Sequence, residues 1–398
     1  MPTNQQTSDL RLVGVSGTNK IMAGEFSRIA LRAGAPKLPE PKKDGLGSLV
    51  YPFSPAAAVL AARYHRTSSR VLWDIYQSSA TRLEPLYADI LRQVCDDNRG
   101  WLCRYSDAGM SISVDAHRVG EFAAGERQIV GTVKNAVVDG ASRRGLSVAV
   151  NPDRPDVLLD VRLRDGVLTV SIDLAGRPMH LRGYRGDGGL APMKENLAAA
   201  LVMLCRHQSR TEPLLDPMAG SGTIAIEAAA MGLGCPVWVQ PRVAACERMV
   251  SLMSASPPVA QPLFSDARPL VFANDNDPRS VDACRNHVRR AGMVPYVQCT
   301  SGDFQNIEYK TIIRTCESRG IGTTGVILTN PPYGERLSNP ELHALYRDFG
   351  SWCRQFAGWR AGILVANPDF EEMFGGKARI RKPLSNGPIR STFLLYDL

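Results

Sequence analysis

Short apolar runs that stop abruptly at glycine, proline or aspartate set the pattern of this chain. Val326-Ile327-Leu328 reads as a buried strand entering Thr329, and Pro331-Pro332 ends it because proline donates no ladder hydrogen bond. Leu214-Leu215-Asp216 reads as a strand leading into the tight turn Pro217–Gly222. A helix then begins near Thr223 and continues through Ile224, Ile226, Ala229 and Ala230. Val271–Asp275 is another strand, and Tyr296–Cys299 a further one leading to Ser301-Gly302-Asp303. Strand, turn and helix in this succession predict an open α/β sheet. An insertion between Gly232 and Arg268 contains a helical pattern at Ala244–Met253 and a Pro-rich stretch after Ser256.

The first half alternates in the same way. Leu12–Val15, Ser48–Phe53, Met110–Val114 and Leu146–Val150 read as strands, with Val157–Arg162 and Leu168–Asp173 as a strand pair. Glu25–Arg32, Pro55–His65, Arg82–Val94 and Gln128–Ala141 read as helices. The Pro/Lys/Gly stretch Ala35–Gly47 reads as a linker or long loop.

Composition narrows the class. At 398 residues, 44% hydrophobic and 22% charged, the chain is globular and too long for one ordinary domain. Its net charge of +8 suits a polyanionic partner, although many basic proteins bind no nucleic acid. The nine cysteines include no CxxC pair and the six histidines no ligand-spaced cluster, so neither a metal nor a disulfide framework is expected. No apolar run approaches the roughly 18 residues of a membrane span, and Met1–Asp9 is polar. A cytoplasmic protein with reduced thiols and no membrane partner is the expectation.

The chemistry is concentrated at the predicted strand ends. In Asn330-Pro331-Pro332-Tyr333, the Asn carboxamide and backbone carbonyls can accept from an exocyclic amine, and the Tyr ring can stack on a flat base. Such acceptors aim the lone pair of a poorly nucleophilic arylamine and stabilise the positive charge of attack. A proline-rich strand end with no chemistry is the plain alternative. The turn Asp216-Pro217-Met218-Ala219-Gly220-Ser221-Gly222-Thr223 offers glycines for close approach and a helix start with free N–H groups. Asp275 suits ribose hydroxyls, although it lies well beyond the roughly 20 residues usual after such a turn. Glu247 and Asp277 are the alternatives. Asp303 could face an adenine amine, and Phe304 could contact the ring or cap the core.

Taken together, these strand ends resemble those of an S-adenosylmethionine-dependent amino methyltransferase. The resemblance extends through Leu181–Arg185, Ala191–Ala200, Asp275–Arg279 with Asn286 and Ala291-Gly292, Thr329–Leu337 and Leu384–Gly387. With these segments the chain resembles the THUMP-containing guanine-N2 RNA methyltransferases of the type acting on large-subunit ribosomal RNA (RlmL-like). It departs at Ala219, where many relatives carry Cys. The resemblance implies a Rossmann-like methyltransferase domain at 176–398, preceded by a ferredoxin-like α/β segment at 1–50 and a THUMP-type RNA-binding domain at 51–175. It implies S-adenosylmethionine as cofactor, held by Asp216, Met218, Gly220, Gly222, Thr223, Asp275, Asn276, Asp303, Phe304 and Asn330. Asn330, Pro331, Pro332 and Tyr333 would be catalytic. The implied substrate is a guanosine N2 of 23S rRNA, with tRNA as the nearest alternative and adenine-N6 of DNA, a protein glutamine or a non-catalytic assembly role more distant. Arg143, Arg144, Arg182, Arg185 and Lys194 are candidate RNA contacts, as are Arg66, Arg70 and Arg104, although a solvated surface Arg is the commoner case. Arg185 could instead pair with a structural carboxylate. Bifunctional relatives add a second methyltransferase domain, for which 398 residues leave no room, so a single methylation activity is expected.

Overall fold

The computed structural model describes residues 8–97, 101–102, 109–116, 122–185, 193–208, 211–239, 242–249, 262–264, 266–332, 339–386 and 389–398. Two sheets organise them. The first half contains β1 (Asp9–Gly14), α1 (Asn19–Arg32), β2 (Lys42–Lys43), β3 (Ser48–Pro52), α2 (Pro55–Tyr64) and β4 (Ser68–Ser78). It continues with α3 (Leu83–Cys95), β5 (Met110–Ala116), α4 (Glu126–Arg143), β6 (Val148–Val150), β7 (Val157–Arg164) and β8 (Val167–Asp173). Strand order is β2-β3-β1-β4-β8-β7-β5-β6, so strands from 1–50 and 51–175 share one sheet. Leu10, Phe26, Ile90, Val137 and Leu159 lie in one common core.

One reading of this half changes, and one strand was not read from the sequence. The stretch expected to be a linker, Ala35–Gly47, contributes the edge strand β2, which pairs with β3. The long strand β4 carries no alternating pattern, because Val71, Leu72, Trp73, Asp74, Ile75 and Tyr76 are all buried. A strand covered on both faces loses its period of two. Its buried Asp74 is neutralised by Arg11 at 2.7 Å and accepts from the Ser171 hydroxyl at 2.6 Å.

The second half contains α5 (Glu195–Leu204), β9 (Leu214–Asp216), α6 (Thr223–Leu233), β10 (Val271–Asp275), α7 (Pro278–Arg290), β11 (Val297–Ser301) and α8 (Tyr309–Ser318). Then come β12 (Val326–Thr329), α9 (Asn339–Cys353), β13 (Arg360–Val365), α10 (Phe370–Phe374), β14 (Ile380–Asn386) and β15 (Ile389–Asp397). Strand order is β11-β10-β9-β12-β13-β15-β14. The first five are parallel, and β15 joins antiparallel to β13. One core layer holds Leu197, Leu201, Ile224, Ala228 and Val288, and the other is aromatic, with Phe349, Trp352, Phe356 and Trp359. This is a doubly wound Rossmann-like sheet, and its chain reverses direction across the sheet between β9's neighbours β10 and β12. Ligands of such sheets bind at that switch point, outside the carboxyl ends of the strands.

The helix expected at Ala244–Met253 is a single 3-10 turn, Ala245–Arg248, followed by extended Met249; residues 250–253 lie outside the described set. Its backbone is engaged elsewhere: Ala245 N–H donates to Ala175 O, and Cys246 N–H to Leu174 O. The two halves also meet through charge. Glu227 of α6, fully buried, accepts from Arg66 at 2.8 and 3.0 Å and from Arg182 at 3.2 Å.

Candidate active site

The ends of β9, β10 and β12 bring the glycine turn, Asp275 and Asn330 to one edge of the sheet. β10 fixes the turn directly. Ala219 N–H donates to Asn274 O at 2.7 Å, and Gly220 N–H to Asp275 Oδ2 at 2.7 Å. Asp277 N–H occupies Asp275 Oδ1 at 3.0 Å, while Asp277 itself caps α7. Gly220 and Gly222 have φ of 53° and 82°, conformations that cost an L side chain about 1–2 kcal/mol. A Cβ on Gly220 would meet no described atom within 4 Å, which leaves room for a ligand's close approach.

Asp216 is buried beside the Thr329 hydroxyl. Burial pushes its carboxyl up to about 7, the Asp275 charge adds to the rise, and the neighbouring Thr329 hydroxyl and the Met218 N–H, 3.3 Å from Oδ1, oppose it. Met218 and Thr223 flank the turn; Thr223 is buried and its hydroxyl accepts from Arg185 Nη2 at 2.5 Å. Asn276 is exposed beyond Asp275. Asp303, also exposed, follows β11 and accepts from Gln305 N–H at 2.9 Å. Phe304 corrects an expectation. Its ring is buried edge-on to Phe349 and Trp352, with centroids 5.6 and 5.5 Å away, so the side chain caps the core, the other of its two readings.

Asn330 follows β12, and its Oδ1 is buried and accepts from no described residue. A buried amide oxygen without a donor is costly, so this one is free to accept from a ligand. Pro331 is buried, and the Pro332 carbonyl accepts from the Tyr346 hydroxyl of α9 at 3.1 Å. Tyr333 lies outside the described residues. Two contributors were not legible. Asn274 ties β9 to β11, its Nδ2 donating to Pro217 O at 3.2 Å and Gly302 O at 2.8 Å; a polar residue inside an apolar strand was its only signal. Tyr346 carried none, since an aromatic on a helix reads as core.

The basic residues divide sharply. Arg182 is fully buried, with its guanidinium on Glu227, Met179 O and Arg66 O, so it cannot contact RNA. Arg66 is buried on the same Glu227 and is excluded likewise. Arg70 pairs with Asp173 at 2.6 Å. Arg185 turns inward to Thr223 and Met193 O and lies 3.4 Å from Glu195, the structural alternative. Arg144 donates to Val94 O at 3.0 Å, whereas Arg143 and Lys194 are exposed at helix ends. Arg104 lies outside the described residues. The rival ribose acid Glu247 pairs with Arg63 at 2.9 Å, away from the turn.

A parallel sheet with a glycine turn on its first strand and an Asn-Pro-Pro end on its fourth is a doubly wound α/β domain with its polar residues gathered at the strand ends. The chain belongs to the UPF0020 family, described as the RMKL-like methyltransferase domain, whose model matches residues 182–394. It is 31% identical over 84% of its length to the "Ribosomal RNA large subunit methyltransferase K/L" of Syntrophotalea carbinolica. It is 33% identical over 73% of its length to the protein of that name from Chromohalobacter salexigens. These matches cover 47% and 41% of the relatives, so the chain spans about half their length or less. The SAH complex of SMU.472 shares the fold across 99% of this chain and 98% of its own, with a TM-score of 0.79 and 24% identity. No described helix is long and apolar enough to cross a membrane, and no three described His, Cys, Asp or Glu side chains are grouped to hold a metal.

Proposed function

We propose that this chain is an S-adenosylmethionine-dependent RNA methyltransferase that modifies the exocyclic N2 of a guanosine in 23S rRNA. The observation that carries the reading is Asn330 Oδ1 at the end of β12, buried and without a donor among the described residues, beside a glycine turn that no described atom crowds at Gly220. The name shared by the curated relatives points to the ribosomal substrate, and the bound SAH of SMU.472 to the cofactor. The residues present fit that cofactor: open space over Gly220, a carboxylate at Asp275, and Asp216 poised to ionise near neutrality. Bound there, it would supply an electrophilic methyl group.

On this reading Asp275 receives the ribose, Asp303 lies near adenine, and Met218, Thr223 and Asn276 border the site. Asn330 Oδ1 and the Pro331 carbonyl accept the two N2 protons of a guanosine unstacked at a cost of a few kcal/mol. That holds the nitrogen lone pair toward the methyl. The N2 proton becomes acidic only as nitrogen gains positive charge, so no strong base is required beforehand. Tyr333 would stack on the base. The first half is proposed as the THUMP-type RNA-binding region, with Arg143 and Lys194 as exposed phosphate contacts.

Methyl transfer from labelled S-adenosylmethionine to unmodified 23S rRNA and to bulk tRNA, with nucleoside analysis, tests the reading. N2-methylguanosine in the 23S fraction is expected. The same nucleoside only in tRNA would overturn the substrate, and label in neither despite cofactor binding would overturn free RNA as the acceptor, leaving a ribonucleoprotein or another acceptor. Asn330→Ala should lower kcat by roughly 10²–10³ with cofactor affinity unchanged. Equal loss of both would remove Asn330 from the chemistry.

A further inference from the structure

Beneath the glycine turn lie two thiols for which the methyl-transfer chemistry has no use. Cys284 on α7 and Cys299 on β11 place their sulfurs 3.5 Å apart, in hydrogen-bonding contact. Cys284 is buried and Cys299 half-buried. The pair is coupled to the turn above it by contact. A Cβ on Gly222 would lie 2.4 Å from Cys284 Sγ, so that sulfur packs directly against the residue that starts α6. One turn along α7, the His287 ring is 3.0 Å from Ser221 O, a second brace on the same turn.

We propose that Cys284 and Cys299 are a peroxide-oxidisable dithiol, whose reversible disulfide loosens the glycine turn and weakens cofactor binding. The two sulfurs have unequal roles. Cys299 is reachable from solvent, whereas Cys284 is enclosed against the turn. The more accessible Cys299 is therefore the attacking group and the buried Cys284 the resolving one, the arrangement that redox-sensitive pairs adopt. Cys299 thiolate attacks one oxygen of hydrogen peroxide, the O–O bond breaks and hydroxide leaves, giving a sulfenic acid. Cys284 sulfur then attacks the Cys299 sulfur. The S–O bond breaks, and the Cys284 proton leaves with that hydroxide as water. Two thiols lose two electrons, and peroxide becomes two waters once the Cys299 proton is counted.

Closing the pair from 3.5 Å to a disulfide of about 2.05 Å requires the sulfurs to move by more than about 1 Å, and one of them is packed against Gly222. The packing against the turn changes with that movement, and α7 is bound to β11. The consequence for the cofactor rests on the reading of the site given above; the bond itself does not.

The test compares the full chain, reduced and after hydrogen peroxide, by peptide mapping and by calorimetry with S-adenosylmethionine. A linked peptide pair containing Cys284 and Cys299 is expected, with cofactor affinity at least ten-fold weaker and restored by dithiothreitol. Cys299→Ser should bind cofactor normally and be insensitive to peroxide at that site. Oxidation confined to other cysteines, such as half-buried Cys95 or Cys235, would overturn the dithiol. A mapped 284–299 bond with unchanged affinity would overturn its control of the turn. Reduced protein that binds no cofactor would instead overturn the reading of the site, while the mapped bond still decides the dithiol.

Discussion

Asp216 shows how one carboxyl can carry a pH dependence for the whole site. Its pKa rises from 3.8 to about 7, first through burial. The folded chain thus holds this proton more tightly than the unfolded chain. Its contribution favours folding fully below the unfolded value and is lost as pH rises through about 7. A cationic cofactor reverses the preference, because only the ionised carboxylate balances its charge. Affinity for S-adenosylmethionine should therefore rise from about pH 6 to about pH 8, and Asp216→Asn should flatten the rise; an unchanged slope in calorimetry would take Asp216 out of the site. Tyr346 acts by position alone, through its hydroxyl on the Pro332 carbonyl. Tyr346→Phe removes one hydrogen bond worth about 1 kcal/mol from the peptide that leads into Tyr333. We expect kcat to fall roughly ten-fold with little change in cofactor affinity or Tm. A fall in Tm that tracks the loss of activity would make Tyr346 a core residue only.

At the scale of elements, sequence legibility followed burial. β10 and β12 were readable because each is a short apolar run ended by a chemically distinct residue, Asp275 or Asn330. β4 was hidden because burial on both faces removes alternation, and a buried Asp74 interrupts its apolar run. The segment at Ala244–Met253 has helical spacing, but partners at Leu174 and Ala175, distant in sequence, took its backbone donors. The site was partly legible for the same reason. Residue types at strand ends were visible, whereas the cross-strand ties of Asn274 and the inward turn of Arg182 depend on tertiary neighbours. The glycine turn joins both levels. Gly222→Ala should cost about 1–2 kcal/mol for its φ alone, and more from the 2.4 Å approach to Cys284 Sγ. Adding Cys284→Ala should recover the steric part but not the backbone part. Full recovery in denaturant unfolding would show that φ is unimportant there.

The whole molecule depends on a buried charge cluster between its halves. Glu227 sits on α6 just past the glycine turn, while Arg66 follows α2 and Arg182 precedes the second sheet. Burial alone would raise the Glu227 carboxyl, yet Arg182 and Arg66 outweigh it and hold it at about 2. A depressed carboxyl stabilises the fold fully above its unfolded value of 4.5, and that stability is lost as pH falls toward 2. Glu227→Gln would leave two guanidinium groups buried without a counter-charge, a change that typically costs about 3–5 kcal/mol. If the first half holds RNA as proposed, the cluster also sets the distance from that RNA to Asn330. Glu227→Gln should then lower stability at neutral pH and blunt the acid limb of unfolding. In whatever fraction stays folded, KM for RNA should rise several-fold while cofactor affinity changes little. The reason for the split is geometric: the glycine turn is fixed from β10 through Asn274 and Asp275, independently of the interface. Parallel losses in RNA KM and cofactor affinity would mean that the cluster supports α6 itself and not the alignment of the two halves.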